Sequence, residues 1–169
     1  EITRDIASRF NHVYPNSLLI PETKVDERVM IVPGTDGQKM SKSYNNFIDI
    51  FLTDKKLRKQ IMGIQTDSTP LEEPKDAENC NVFKLYKLLA TEDQSLELKG
   101  RYESGNFGYG HAKQEFFELI CDKYKTEREK FNYLMENKNI LDEELAKGAE
   151  KARVIAREVL QRVRKNIGY

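Results

Sequence analysis

Apolar side chains recur every three or four residues through most of the chain, the spacing of one buried face on an α-helix. Ile2, Ile6 and Phe10, with Ala7 beside them, predict a helix from the first residues, although no capping residue precedes it. Leu57 and Ile61 share a face of a helix over Asp54 to Met62, with Thr53 placed to cap it and Gly63 to close it. Val82, Leu85, Tyr86 and Leu89 predict a third helix ending near Thr91, and Asp93 to Glu103 a short fourth. The glycine-rich run from Gly105 to Gly110 stops that one. Ala112, Phe116, Leu119, Ile120 and Tyr124 open a long helix reaching Met135. From about Asp142 to Asn166, Leu145, Ala149, Ala152, Ala156, Val159 and Val163 alternate at spacings of four and three, and the small alanines permit close approach of a partner helix.

One apolar stretch does not follow the helical rhythm. Arg28-Val29-Met30-Ile31-Val32 is short, β-branched and stopped by Pro33-Gly34, which predicts a buried strand of an α/β sheet. From Pro33 to Asn46 the chain has no periodicity and is rich in residues that tolerate irregular backbone, so a loop follows the strand directly. The acidic segment Thr66 to Glu78, punctuated by Pro70 and Pro74, reads as a second loop. The fold class predicted is therefore mainly α, with a small α/β portion over residues 1–50 and a helical bundle over 51–169.

Composition narrows the function classes. In 169 residues, 28 Lys and Arg balance 28 Asp and Glu, so no global field advertises a polyanionic partner and any such surface must be local. Apolar runs are only a few residues long, far below the ~20 that span a bilayer, which predicts a soluble protein. Cys80 and Cys121 form no Cys-x-x-Cys pair and read as free structural thiols in a reducing compartment. His12 and His111 offer no metal-ligand spacing, so no protein-held metal is expected. A first residue that is not Met, in the middle of a helical pattern, reads as a chain cut from a longer protein.

The candidate chemistry lies in Lys39-Met40-Ser41-Lys42-Ser43. Two ammonium groups three residues apart, with hydroxyls between and beside them, follow a sheet strand directly, where α/β proteins gather ligand-binding groups. One reading is a polyphosphate clamp, since lysine is a mobile point charge that can follow charge onto a leaving group. The other is a solvated hairpin turn, for which Thr35-Asp36-Gly37-Gln38 supplies ordinary residues. It is not a Walker A loop, because Gln38 stands where glycine is needed and Met40 where Ser or Thr is needed. On the last helix Arg153, Arg157 and Arg164 share a face, and Lys55, Lys56, Arg58 and Lys59 cluster earlier. Such groups can bind RNA phosphates, although they are more often a solvated face, and Glu150 and Glu158 stand near enough to pair with some of them.

The Lys-Met-Ser-Lys-Ser string, preceded by Asp36-Gly37, resembles the second signature of class I aminoacyl-tRNA synthetases. Glu1 to Asn11, Ile64 to Ser68, Tyr102-Glu103-x-Gly105 with Gly108-Tyr109-Gly110, and Gly148-Ala149-Glu150-Lys151-Ala152 extend the resemblance to bacterial tryptophanyl-tRNA synthetases over essentially the whole chain. The resemblance implies that residues 1–50 are the C-terminal part of a Rossmann catalytic domain and residues 51–169 an anticodon-binding domain. It implies ATP, carried with Mg2+, tryptophan and tRNA(Trp) as ligands, and a cytoplasmic homodimer. Lys39 and Lys42 would stabilise pyrophosphate during adenylate formation, with Ser41 and Ser43 holding the loop or the phosphates and Met40 anchoring it. Val29 and Met30 would meet the adenine through their backbone, and the helical part with Arg153, Arg157 and Arg164 would meet tRNA. The family's His-x-Gly-His signature and its Gly-Glu-Asp-Gln segment are not in this sequence, so the chain alone is expected to be inactive. Two alternatives stand beside this one: a free-standing RNA-binding helical module, and the related tyrosyl enzyme, which shares the loop but not the closing Gly-Ala-x-Lys-Ala helix.

Overall fold

The computed structural model describes residues 1–24 and 31–169, so the proposed adenine contacts at Val29 and Met30 lie outside the described residues. Seven helices occur among the described residues: α1 (Ile2–Val13), α2 (Asp54–Met62), α3 (Asn81–Lys87), α4 (Glu92–Glu103), α5 (Tyr109–Lys123), α6 (Lys125–Glu136) and α7 (Lys138–Ile167). Backbone contacts divide the chain into two compact units, Glu1–Val25 with Tyr133–Tyr169, and Asp26–Asn132.

The larger unit holds the core. Leu57 and Ile61 of α2, Val82 and Phe83 of α3, Leu98 and Tyr102 of α4 and Phe116 and Ile120 of α5 all fall below 3% exposure. Tyr102 sits at the centre, its ring 5.7 Å from Phe107 and from Tyr109 and 6.4 Å from Phe83, in the edge-on and tilted geometries that aromatic quadrupoles favour. Burial pushes its hydroxyl pKa up, so it stays a neutral phenol that meets the Cys80 thiol at 3.6 Å. Gly105, at φ +73°, and Asn106, at φ +55°, turn the chain out of α4. A Cβ on Gly105 would stand 2.4 Å from the Glu72 carbonyl oxygen, so this turn requires glycine.

Three helix boundaries depart from the periodicity. α3 ends at Lys87 rather than near Thr91, because Thr91 takes an extended conformation to cap α4. Its hydroxyl accepts from Gln94 N while the Gln94 side chain accepts from Thr91 N, a complete capping box. The long helix to Met135 is two helices broken at Tyr124 (φ −106°, ψ 20°). The break sends α6 to a different surface: Phe131 stacks on Phe51 at 4.7 Å, and Arg128 binds the Ile50 carbonyl and the Asp54 carboxylate. α7 begins at Lys138, about one turn before the expected start near Asp142.

In the smaller unit, the Asn11 carboxamide clips the Leu18 backbone, donating to its carbonyl at 2.7 Å and accepting from its N–H at 2.8 Å. Ser17, fully buried, accepts from Asn166 at 2.7 Å through its hydroxyl, and its carbonyl accepts from Arg162 at 2.8 Å, which ties α7 to the segment after α1. The apolar stripe of α7 is only partly covered: Ala149, Val159 and Val163 are half-buried, whereas Leu145, Ala152 and Ala156 are exposed. Gly168 closes the helix at φ +93°, where a left-handed residue lets the last amides reach back to Arg164 and Lys165.

No strand forms among the described residues; one antiparallel bridge joins Pro33 to Lys39. Of the predicted strand, Arg28, Val29 and Met30 lie outside the described residues, while Ile31 and Val32 are exposed rather than buried. No helix among the described residues is long and apolar enough to cross a membrane.

Candidate functional site: a clasped lysine loop

The loop is built on a tight turn. Gly37 N donates to Gly34 O at 3.0 Å and Gly34 N to Gln38 O at 2.6 Å, while Met40 N donates to Val32 O at 2.8 Å, so residues 32–40 double back as a hairpin. Gly37 closes the turn at φ +81°, a left-handed conformation that costs glycine nothing. The turn geometry is compatible with either reading of the loop, and Lys39 stands on the returning limb.

Asn46 organises that limb. It is 2% exposed, and its Nδ2 donates to Asp36 Oδ1 at 2.8 Å and to Lys39 O at 3.2 Å, while its Oδ1 accepts from Ser41 N at 2.7 Å. Its own carbonyl accepts from Thr35 N at 2.8 Å. Gly34 lies so close that a Cβ there would stand 2.3 Å from Asn46 Nδ2. Farther out, Gln65 N donates to Thr35 O at 2.8 Å, and Asn81 donates to Gln65 O at 3.1 Å, anchoring the hairpin to the segment between α2 and α3.

The hydrogen bond from Asn46 holds the Asp36 carboxyl below its ordinary value of 3.8, with the Gln38 amide assisting. The folded state therefore binds fewer protons at Asp36 than the unfolded chain. This contribution is present above pH 3.8 and is lost as pH falls through the lower folded value. The Asn46 side-chain amide resonances are expected to hold steady from about pH 7 to about pH 5 and to shift only below the usual carboxylate range, read by two-dimensional NMR.

Lys39 and Lys42 are both exposed, and neither ammonium is paired with a carboxylate among the described residues. Between them Met40 turns inward to line a small apolar cavity of about 140 Å³ with Val32, Ile48, Leu89 and Tyr124. Ser41 Oγ accepts from Ser43 N at 3.2 Å, and Asn45 N donates to Lys42 O at 3.1 Å, so Lys42 rides on a second short turn. Beside the loop a cleft of about 370 Å³ is lined by Thr35, Asn45, Phe47, Lys56, Lys59 and Gln60. Of the early basic cluster, Lys56 and Lys59 thus face the loop's flank, whereas Arg58 is held by Gln114 at 2.8 Å.

Arg153, Arg157 and Arg164 are exposed on α7, in the other compact unit. Arg153 is paired with Glu150, the solvated-face arrangement, while Arg157 and Arg164 have no ion pair among the described residues. Cys80 and Cys121 are free thiols. Among the described residues no three His, Cys, Asp or Glu side chains converge as a metal site. Sequence reasoning missed Asn46, because a buried asparagine inside an aperiodic polar loop leaves no trace in any hydrophobic pattern.

A family described as class I tRNA synthetases for tryptophan and tyrosine matches residues 1–125. The chain belongs to this family. It is 51% identical over 168 residues to the tryptophan–tRNA ligase of Campylobacter jejuni strain RM1221, spanning 99% of this chain and 53% of that protein. The tryptophan–tRNA ligase of Fusobacterium nucleatum is 48% identical over 169 residues, again 99% of this chain and 52% of the relative. A crystal structure of the tryptophanyl-tRNA synthetase from Campylobacter jejuni, complexed with ADP and tryptophan, superposes with a TM-score of 0.85 at 51% identity, over 98% of this chain and 52% of that one. The chain spans about half the length of the relatives it matches.

Proposed function

We propose that this chain supplies the pyrophosphate-binding loop of a tryptophan–tRNA ligase, which joins tryptophan to its tRNA through an adenylate. The observation that carries the reading is the pair of exposed ammonium groups, Lys39 and Lys42, unpaired among the described residues on a loop whose base is fixed by hydrogen bonds. In the reaction a tryptophan carboxylate oxygen attacks the α-phosphorus of ATP, the bond to the bridging oxygen breaks, and its electron pair leaves with pyrophosphate. Charge then accumulates on the departing diphosphate, where mobile ammonium groups stabilise it more than they stabilised bound ATP. Magnesium would travel on the nucleotide's phosphates. A tRNA hydroxyl next attacks the adenylate carbonyl and expels AMP. The nucleotide and tryptophan bound by the Campylobacter jejuni enzyme support the choice of ligands.

In this reading Met40 anchors the loop, Ser41 and Ser43 shape the turn, and the backbone at Val29 and Met30 meets adenine. Residues 1–50 would complete a Rossmann domain, and residues 51–169, with Arg153, Arg157 and Arg164 exposed, would meet tRNA phosphates in a cytoplasmic homodimer. The loop by itself positions neither tryptophan nor the α-phosphate, and positioning supplies much of such a rate. Isolated, the 169-residue chain is expected to show no tryptophan-dependent exchange of labelled pyrophosphate into ATP. A hybrid in which it replaces the matching half of the Campylobacter jejuni ligase is expected to exchange readily. An inactive hybrid that folds and binds tryptophan would count against the proposal, as would exchange by the isolated chain.

A further inference from the structure

We propose that Asn46 is a positioning residue for the pyrophosphate step: its carboxamide fixes the backbone on both sides of Met40 and thereby sets where the two loop ammonium groups stand. The inference rests on the lysine-loop reading above and names the device that keeps the loop in register.

Three bonds of one buried side chain carry it. Nδ2 holds Lys39 O at 3.2 Å, Oδ1 holds Ser41 N at 2.7 Å, and Nδ2 also holds Asp36 Oδ1 at 2.8 Å on the opposite limb. The two peptide units flanking Met40 are thus gripped by one rigid amide, and the outgoing and returning limbs are joined through it. With both flanks fixed, the Met40 side chain is directed into its apolar cavity, while Lys39 on one side and Lys42 just past the other are directed to solvent. Lys39 leaves the backbone at a gripped residue. Lys42 leaves one residue beyond the grip, on the turn closed by Asn45 N to Lys42 O. Both lysine side chains are long and flexible, so a fixed backbone origin is what limits the volume each ammonium searches.

Both donor hydrogens of the amide are used within the loop. Its two donor hydrogens serve Asp36 and Lys39, and its oxygen serves Ser41. Aspartate in its place keeps the acceptor for Ser41 N but loses both donors and faces Asp36 with a like charge. Interchanging the two residues, Asp36→Asn with Asn46→Asp, restores a donor–acceptor pair between positions 36 and 46 and keeps the acceptor for Ser41. Gly34 offers a second approach, since Gly34→Ala removes no polar group yet would place a Cβ 2.3 Å from Asn46 Nδ2 and 2.7 Å from the Asn46 carbonyl oxygen, displacing the clasp as a whole.

The test uses the hybrid ligase for activity and the 169-residue chain for loop geometry. In the hybrid, Asn46→Ala and Gly34→Ala are each expected to lower kcat for pyrophosphate exchange by roughly 100-fold, the size of effect that a misplacement of about 1 Å produces. KM for tryptophan should move less than about threefold, because the residue acts on the transition state and not on the amino-acid pocket. Asn46→Asp should lose a similar amount, and the Asp36→Asn, Asn46→Asp interchange should recover at least about tenfold of it. In the chain itself, amide exchange of Asn46→Ala should quicken at Ser41, whose N–H loses its acceptor, while the helices keep their protection. The inference is overturned if the interchange recovers nothing, if amide exchange quickens throughout the helices, or if the hybrid keeps its kcat on Asn46→Ala although Lys42→Ala alone lowers it. A hybrid indifferent to Lys42→Ala instead overturns the lysine-loop reading, and this inference with it.

Discussion

Replacing Lys42 with alanine in the hybrid ligase is expected to slow tryptophanyl-adenylate formation by about 100- to 1,000-fold, the range for removing one preorganised donor from a developing anion. Tryptophan affinity, read by equilibrium dialysis, should stay within about threefold of the parent. The asymmetry follows from where the side chain sits. Lys42 is exposed on a turn, without a carboxylate partner among the described residues, so its removal leaves no buried charge stranded and no packing lost. Among the described residues no hydrogen bond or ion pair is made by its ammonium. On the proposed function, the variant is expected to lose an interaction with a diphosphate that becomes more anionic as the bond to the α-phosphorus stretches, and that loss should appear in the rate. Lys42→Arg should recover only part of the rate, because a planar guanidinium cannot follow the moving oxygens as an ammonium can.

Tyr102→Ala is expected to be the most destabilising single change in the larger unit, at about 3–5 kcal/mol in urea-induced unfolding, as for other buried aromatics cut back to alanine. Its ring is fully buried, touches three other aromatic rings and meets the Cys80 thiol, and its own carbonyl accepts from Lys75 N at 2.8 Å. Such a loss is a large share of the ~5–15 kcal/mol that stabilises a domain, so the variant is expected to populate unfolded chain at 37 °C. Tyr102→Phe should cost far less, since it keeps the ring contacts and removes one weak bond to sulfur. Equal losses in the two variants would place the stabilisation in the hydroxyl and contradict the packing account.

Much of the helical framework is legible in the sequence because it obeys a local rule. α2 begins and ends where Thr53 and Gly63 predict, and α4 starts within one residue of its expected position. The failures share a cause. Nothing local separates α5 from α6 at Tyr124, because the reasons for the break, Arg128 on Ile50 and Phe131 on Phe51, lie more than seventy residues away in sequence. α3 stops early because the following helix takes Thr91 as its cap, a contest between two elements that a single stripe cannot reveal.

Lys75 shows the same limit for polar groups. No periodicity or motif singles it out within its acidic, proline-punctuated loop, and it is 3% exposed and donates to the carbonyls of Pro70, Leu71 and Glu73. Its ammonium also lies 5.5 Å from the Tyr109 ring centroid. A buried lysine is tolerated there because all three of its donors are used. At the candidate site the lysines could be named from their string, whereas the asparagine holding them could not. A motif of charges is visible one residue at a time, but a clasp exists only once its two limbs have met.

The most direct measurement is exchange of labelled pyrophosphate into ATP by the hybrid, compared with the same protein carrying Lys39→Ala and Lys42→Ala together. The account predicts tryptophan-dependent exchange by the parent hybrid and a loss of at least about 1,000-fold in the double variant, with tryptophan still bound. Exchange by the double variant at the parent rate would contradict it, because the leaving diphosphate would then be stabilised by groups other than this loop.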